Sequence, residues 1–144
     1  MAKAEITKEF DVSADKFFQA VTALESYPKF VEGMKAVRAE RKGDGQIRAH
    51  YELSMMSKDF QYTLDLVEDH KNYKLSWTLV EGNLFKKSDG FWSIKSLGPK
   101  KCEVTYGVDV DFSISIPSFL LSTLVKGSLP KMLDGFYEYA KKLK

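Results

Sequence analysis

The alternation that decides the fold runs through residues 58–81, KDFQYTLDLVEDHKNYKLSWTLVE. Apolar side chains occupy every second position of its first half, including Phe60, Tyr62 and Leu64, and polar side chains fill most of the positions between them. The second half repeats the pattern around Leu75 and Trp77, after a polar turn. Period-two alternation is typical of strands that bury one face and expose the other. The stretch therefore predicts an antiparallel hairpin with a dry face and a wet face.

Similar patterns with turn signals between them extend the hairpin into a six-strand meander. The predicted strands are 34–42, 46–55, 58–68, 73–81, 84–96 and 101–112, with a bulge or early loop expected at 86–90. A further strand is predicted over residues 4–12, followed by a helix that Ser13 caps. That helix should end before Pro28, and a second short helix or turn follows it. The tail from Pro117 to Leu143 predicts one long helix, kinked near Gly127 and Pro130.

The five turns of the meander alternate in character. The turns at 42–45, 69–72 and 97–101 are mainly polar, whereas those at 55–58 and 81–85 carry Met, Leu and Phe. Every second turn of an antiparallel meander lies at the same end of the sheet. One end of the sheet is therefore predicted to form an apolar mouth, where a ligand enters or a surface is touched. The alternative is that these side chains fold back onto a helix and are covered.

Composition limits the classes of function. The chain has 144 residues and is expected to form one domain over residues 1–144. A net charge of +2 argues against nucleic-acid binding, and a single cysteine excludes an internal disulfide and a cysteine-rich zinc site. The longest nearly apolar run, residues 114–125, is too short to span a bilayer, and the N-terminus has no signal stretch. A cytoplasmic protein is expected.

Four short segments carry a family resemblance. They are residues 11–18 (DVSADKFF), 26–30 (SYPKF), 90–94 (GFWSI) and 129–133 (LPKML). In this order they resemble the START-like, helix-grip (SRPBCC) superfamily, and within it the polyketide cyclase/dehydrase and coenzyme Q-binding branch. The resemblance implies an α+β helix-grip fold: a seven-stranded curved antiparallel sheet wrapped around a long C-terminal helix, with two short helices between strands 1 and 2. It also implies an apolar cavity that opens between the last helix and alternate meander loops.

One segment departs from the family pattern. Members that bind ubiquinone tend to carry a Trp-Cys pair after the Tyr-Pro-x-Phe segment, whereas this chain has Val31-Glu32-Gly33-Met34 there. The departure weakens the case for a quinone as the ligand.

The dry face supplies the predicted cavity lining, and the apolar turns with the start of the tail supply the predicted mouth. The predicted lining residues are Tyr51, Leu53, Phe60, Tyr62, Leu64, Tyr73, Leu75, Trp77, Leu79, Trp92, Tyr106, Val108 and Val110. The predicted mouth residues are Phe30, Met55, Met56, Leu84, Phe85, Ile114, Ile116, Phe119 and Leu120. Tyr and Trp combine an apolar body with a polar tip, which suits an apolar ligand that carries a few oxygens.

Three classes of function fit these features. The first is a binder or carrier of a hydrophobic small molecule (a lipid, an isoprenoid or quinone, or a polyketide-like ring system), whose mouth, flanked by Lys58, Lys86 and Lys87, touches an anionic membrane transiently. The second is a cyclase or aromatase, which would need an acid or base in the cavity. The third is a protein-interaction module, with an unknown partner; relatives with this fold include ribosome-associated toxins.

The sequence offers no convincing catalytic residue for the enzyme alternative. His50 falls on the wet face and His70 in a polar turn, while Lys8, the one charged residue on its dry face, either extends past the strand edge or meets a ligand carboxylate. No metal-ligand spacing, cofactor motif or nucleophile triad is present in the sequence. No cofactor or metal is therefore expected, and binding is favoured over catalysis.

Overall fold

The computed structural model describes residues 2–55, 57–115 and 129–143. Within these residues the strands are β1 (Ala2–Phe10), β2 (Met34–Gly43), β3 (Gln46–Met55), β4 (Lys58–Asp69), β5 (Lys74–Gly82), β6 (Phe85–Gly98) and β7 (Lys101–Phe112). The helices are α1 (Ala14–Thr22), a 3-10 helix (Leu24–Lys29) and α2 (Leu129–Lys141).

The strands form one antiparallel sheet in the order β1-β7-β6-β5-β4-β3-β2. Strands β2 to β7 pair with their sequence neighbours, as the alternation and turn signals predict, and β1 returns to pair with β7, from Ala2 opposite Val110 to Phe10 opposite Cys102. The expected bulge in β6 is present as a register shift between Phe85 and Lys87. The predicted α+β helix-grip fold, with its meander, is confirmed.

Helix α1 begins where the sequence predicts. The Ser13 hydroxyl accepts a hydrogen bond from the Lys16 amide at 3.2 Å, and Phe17 and Phe18 bury the apolar face against the sheet. The helix ends at Thr22, before Pro28 as predicted, and the short second helix is the 3-10 helix, which contains Pro28.

Helix α2 covers the inner, concave face of the sheet. Leu133, Phe136 and Ala140 are almost completely buried along one side of it. Of the long helix predicted over residues 117–143, the structure describes the part from Leu129 onward; the expected start at Pro117 and the kink at Gly127 lie outside the described residues. The outer face of the sheet carries polar pairs such as Arg48 and Asp65, whose side chains meet at 2.8 and 3.0 Å. The dry and wet faces therefore lie as the alternation predicts.

Candidate ligand-binding cavity

A cavity of about 250 Å³ lies between the inner face of the sheet and helix α2. Residues from all seven strands, the 3-10 helix and α2 contribute to its wall. The described residues that line it are Ala4, Tyr27, Val31, Met34, Tyr51, Tyr62, Leu64, Leu66, Leu75, Trp77, Phe85, Ser88, Trp92, Tyr106, Val108, Val110, Phe112, Leu129, Met132 and Phe136.

Aromatic rings form two of the cavity walls. On one side the rings of Tyr51 and Tyr62 stack with their centroids 4.8 Å apart and their planes 12° from parallel. On the other, Tyr106 lies 4.8 Å from Trp92 and 5.8 Å from Trp77. Contacts of this kind stabilise each ring's position beyond simple burial. The cavity is thus bounded by ring faces that neighbouring rings hold in place.

Glycine at position 90 makes room for one of these rings. Gly90 pairs with Trp77 across β5 and β6, and a Cβ atom built at Gly90 would lie 2.3 Å from the Trp77 ring and 2.8 Å from the Gly107 carbonyl oxygen. The absence of a side chain therefore leaves room for the indole close to the β6 backbone. The sequence identifies Gly90 as a glycine within a strand, but it does not predict that the Trp77 ring packs against it.

The polar side-chain groups of the described cavity wall are neutral hydroxyls and indole nitrogens. Burial raises the pKa of Tyr51 well above its ordinary value, and the nearby hydroxyls of Tyr27, Tyr62 and Tyr106 raise it further. Burial likewise raises the pKa values of Tyr27, Tyr62 and Tyr106. The Tyr27 hydroxyl donates a hydrogen bond to the Val21 carbonyl, which ties the 3-10 helix to α1. All four phenols are therefore uncharged at neutral pH.

Nine of the thirteen predicted lining residues border the cavity. They are Tyr51, Tyr62, Leu64, Leu75, Trp77, Trp92, Tyr106, Val108 and Val110.

The other four predicted lining residues face the same side of the sheet but lie away from the cavity. Leu53 and Phe60 are opposite each other near the β3–β4 turn. Tyr73 lies at the β4–β5 turn, where its ring meets Phe18 of α1 at 5.5 Å. Leu79 is partly buried and packs against the rest of the core. The alternation identifies the face of a strand but not which part of that face is hollow.

The predicted mouth is only partly within the described residues. Phe85 lines the cavity, whereas Leu84 is 1% exposed and Phe30 stacks on Tyr139 of α2 at 4.5 Å. Ile114 is partly buried. Met56, Ile116, Phe119 and Leu120 lie outside the described residues, as does the side chain of Met55.

The turn at residues 81–85 is therefore less apolar on its surface than the sequence suggests. Leu84 points inward, and its carbonyl accepts a hydrogen bond from the Ser113 amide at 2.8 Å. Of the neighbouring lysines, Lys87 donates to Asp109 at 3.1 Å. For Leu84, the covered arrangement, which the sequence left open as an alternative, is the one observed.

The titratable side chains considered from the sequence lie outside the cavity. His50 lies on the outer face, with Nδ1 2.9 Å from the Thr63 hydroxyl and Nε2 2.8 Å from the Glu40 carboxylate. His70 pairs with Glu68 at the polar end. Lys8 donates to Asp134 of α2 at 2.6 Å, so its ammonium is matched by a protein carboxylate. Among the described residues that line the cavity, none is Asp, Glu, Lys, Arg or His.

Neither a metal-binding cluster nor a membrane-spanning helix is found among the described residues. It contains no group of three or more His, Cys, Asp or Glu side chains with the geometry of a metal site. No helix within the described ranges has the length and apolar character needed to cross a bilayer.

Comparison with known proteins identifies the family. The model of the family described as polyketide cyclase / dehydrase and lipid transport matches residues 10–137. The chain belongs to this family. Its fold is similar to the Zhui aromatase/cyclase of a Streptomyces species (TM-score 0.84, 12% identity, covering 98% of this chain and 94% of the other). It is also similar to a START superfamily protein of Mycobacterium smegmatis (TM-score 0.83, 17% identity, 99% of both chains). The resemblance drawn from the four segments is confirmed.

By sequence, the chain is similar to proteins named ribosome association toxin RatA. The Escherichia coli protein is 27% identical over 133 residues, which is 91% of this chain and 82% of the relative. The Pseudomonas aeruginosa protein is 25% identical over 134 residues, which is 90% of this chain and 89% of the relative. The chain is thus similar in fold to a protein named for aromatase/cyclase activity and similar in sequence to proteins named for association with the ribosome.

Proposed function

We propose that this protein binds a hydrophobic small molecule (a lipid, an isoprenoid or a polyketide-like ring compound) in the cavity between the sheet and helix α2. The observation that carries the proposal is a cavity of about 250 Å³ whose described lining is apolar and aromatic, with a few neutral polar groups and no charge. Ligand pockets of soluble proteins have this character, and their usual volume is about 300–1,000 Å³. The ligand is therefore small, with the bulk of a few fused rings or a short chain.

The apolar character of the cavity wall also supports a ligand. Protein interiors normally pack without voids larger than a water molecule. A hollow of about 250 Å³ with a mainly apolar and aromatic lining departs from that rule. An apolar occupant would remove the lining from water, which is favourable by about 25 cal/mol per Å² of apolar surface buried.

Binding is better supported than catalysis by the side chains present. Cyclisation chemistry needs a group that exchanges a proton near neutral pH. The described lining offers phenol hydroxyls whose pKa values are raised by burial, and a serine hydroxyl. Such groups can hold and orient a ligand through hydrogen bonds, but they are poor general bases.

The test uses N-phenyl-1-naphthylamine, a neutral apolar dye that fluoresces strongly when it leaves water. The chain has two tryptophans, Trp77 and Trp92, and both line the cavity, so energy transfer from them reports occupancy. We expect saturable binding to the wild type and at least tenfold weaker binding to Val108→Phe, which places a ring in the cavity. The matched control is Val67→Phe, at a position 54% exposed on another strand. Equal dye affinity in the wild type and Val108→Phe would refute the proposal.

A second candidate function is association with the ribosome. It is favoured by the similarity to two proteins named ribosome association toxin, at 27% and 25% identity over about nine tenths of this chain. Co-sedimentation with purified Escherichia coli ribosomes through a sucrose gradient tests it. Stoichiometric co-migration that survives Val108→Phe would favour this function independently of the cavity, and recovery only at the top of the gradient would count against it.

A further inference from the structure

We infer that the cavity selects an uncharged, flat ring molecule with two or more oxygen atoms, which hydrogen-bond to Tyr51, Tyr62, Tyr106 and Ser88. The inference rests on the proposed function and narrows its ligand class. It separates oxygenated ring compounds from hydrocarbons and from anionic acyl chains.

The first observation is a set of hydroxyls without a protein partner. Tyr51, Tyr62, Tyr106 and Ser88 all line the cavity, and their side-chain oxygens make no hydrogen bond within the described part of the chain. These oxygens are not enclosed by protein either, because Asp109 Oδ1 is the one described side-chain atom that is both fully enclosed and unbonded. Each hydroxyl therefore borders the open volume of the cavity.

The hydroxyls also belong to side chains that line one small volume. The rings of Tyr51 and Tyr62 stack with their centroids 4.8 Å apart, and Tyr106 contacts Trp92 and Trp77 at 4.8 and 5.8 Å on the wall of the same cavity. Tyr27 lies in the same group, but its hydroxyl already donates to the Val21 carbonyl. Tyr51, Tyr62 and Tyr106 thus leave three neutral donors, each also able to accept, around one small volume.

The charge of the described cavity lining narrows the class of ligand further. The described lining contains no cationic side chain, so it offers no counter-ion to a carboxylate or phosphate that loses its hydration there. A saturated chain would enter without that penalty but would leave the hydroxyls of Tyr51, Tyr62, Tyr106 and Ser88 unbonded. Neutral carbonyl, ether or hydroxyl oxygens satisfy both conditions.

The shape of the wall favours a flat molecule. The stacked rings of Tyr51 and Tyr62 lie on one side, and Trp77, Trp92 and Tyr106 form a second aromatic wall. Aromatic faces pack well against planar rings in offset or edge-to-face contact. Ser88 sits on β6, opposite Val110 of β7, and is 4% exposed, so it adds a small hydroxyl beside these aromatic walls.

The test compares three probes by displacement of N-phenyl-1-naphthylamine. Xanthone is a flat tricycle with two oxygens, fluorene is a tricyclic hydrocarbon of similar size, and dodecanoate is an anionic chain. We expect xanthone to displace the dye at a concentration at least tenfold lower than either of the others. Equal potency of xanthone and fluorene, or stronger displacement by dodecanoate, would overturn the inference.

Single-atom variants then locate the contacts. Tyr51→Phe, Tyr62→Phe, Tyr106→Phe and Ser88→Ala each remove one hydroxyl. We expect at least two of them to weaken xanthone binding by about three- to tenfold, the value of one net hydrogen bond, and to change fluorene affinity by less than about twofold. Tyr73→Phe is the matched control, since Tyr73 lies outside the cavity lining. Unchanged xanthone affinity in all four variants would refute the inference.

The two proposals fail in different ways. If the dye itself does not bind to the cavity of the wild type, the proposed function fails and this inference fails with it. If the dye binds and Val108→Phe blocks it, while xanthone shows no advantage, the cavity binds small molecules but the inferred ligand class is wrong.

Discussion

The buried phenols predict an unusual sensitivity of the fold to alkaline pH. Tyr27, Tyr51, Tyr62 and Tyr106 all have pKa values raised in the folded state, chiefly by burial. In the unfolded chain tyrosine ionises with a pKa of about 10, whereas each buried phenol keeps its proton to higher pH. The contribution of these phenols to folding stability is therefore fully present below about pH 10 and is lost as pH rises above it, because ionisation then stabilises the unfolded state. Stability should therefore fall steeply above about pH 10.

The size of the loss follows from the unfolded chain. At about pH 10.5, ionisation stabilises each unfolded tyrosine by about 0.8 kcal/mol, while the buried phenol stays protonated. Four such residues together lower the free energy of unfolding by about 3 kcal/mol, which is a large share of the typical value of about 5–15 kcal/mol. The thiol of Cys102, whose pKa burial raises to about 11, adds a further loss of the same sign.

Urea unfolding followed by circular dichroism at about pH 8 and pH 10.5 measures the effect. The triple variant Tyr51→Phe, Tyr62→Phe, Tyr106→Phe should lose about 2.5 kcal/mol less between the two pH values than the wild type, because three ionising groups are gone. Every other titrating group cancels in this comparison. Leu79→Ala, which destabilises the fold without removing a proton, should show the loss of the wild type. Equal losses in the wild type and the triple variant would show that these phenols ionise freely in the folded protein and would refute their burial.

Three further substitutions test the local arguments by urea or thermal unfolding. Ser13→Ala removes the cap of α1 and should cost about 1 kcal/mol, whereas Ser13→Asp should restore most of it. Gly90→Ala should cost about 1–3 kcal/mol and shift the tryptophan emission, because the new methyl group displaces Trp77; an unchanged spectrum would contradict the packing described. Phe136→Ala removes a ring that is 1% exposed and should cost about 3–5 kcal/mol; a loss below about 1 kcal/mol would mean that α2 does not seal the sheet.

The sequence predicts the strands well because their physics is local. The alternation in β4 and β5 identifies the buried face from each residue's own neighbours, and the predicted and observed bounds differ by one residue, 58–68 against Lys58–Asp69 and 73–81 against Lys74–Gly82. The cap at Ser13 is local in the same sense.

The site was harder to predict because a cavity depends on distant elements. Tyr73 and Trp77 follow the same alternation, yet Trp77 lines the cavity and Tyr73 contacts α1. The sequence of one strand does not determine where a helix packs over the sheet. The turn pattern predicts Leu84 at the surface, whereas the structure buries it. Ser88 and Leu66 share the dry face and could have been found by extending the alternation, whereas the contribution of Phe136 required the packing of α2.

The pairing of β1 with β7 has a consequence for how the chain folds. Phe10 lies opposite Cys102 and Ala2 opposite Val110. The first strand therefore cannot pair with its partner until nearly all of the meander has been synthesised. Contacts between residues so far apart in sequence slow folding, because the loop between them must be closed before the contacts contribute. Strands β2 to β7 can form as successive hairpins before β1 pairs with β7. During that interval the edge of β7 is unpaired, and an unpaired edge is the part of a sheet most prone to association with other chains. Association with other chains during folding is thus expected first at β7, until β1 has paired with it.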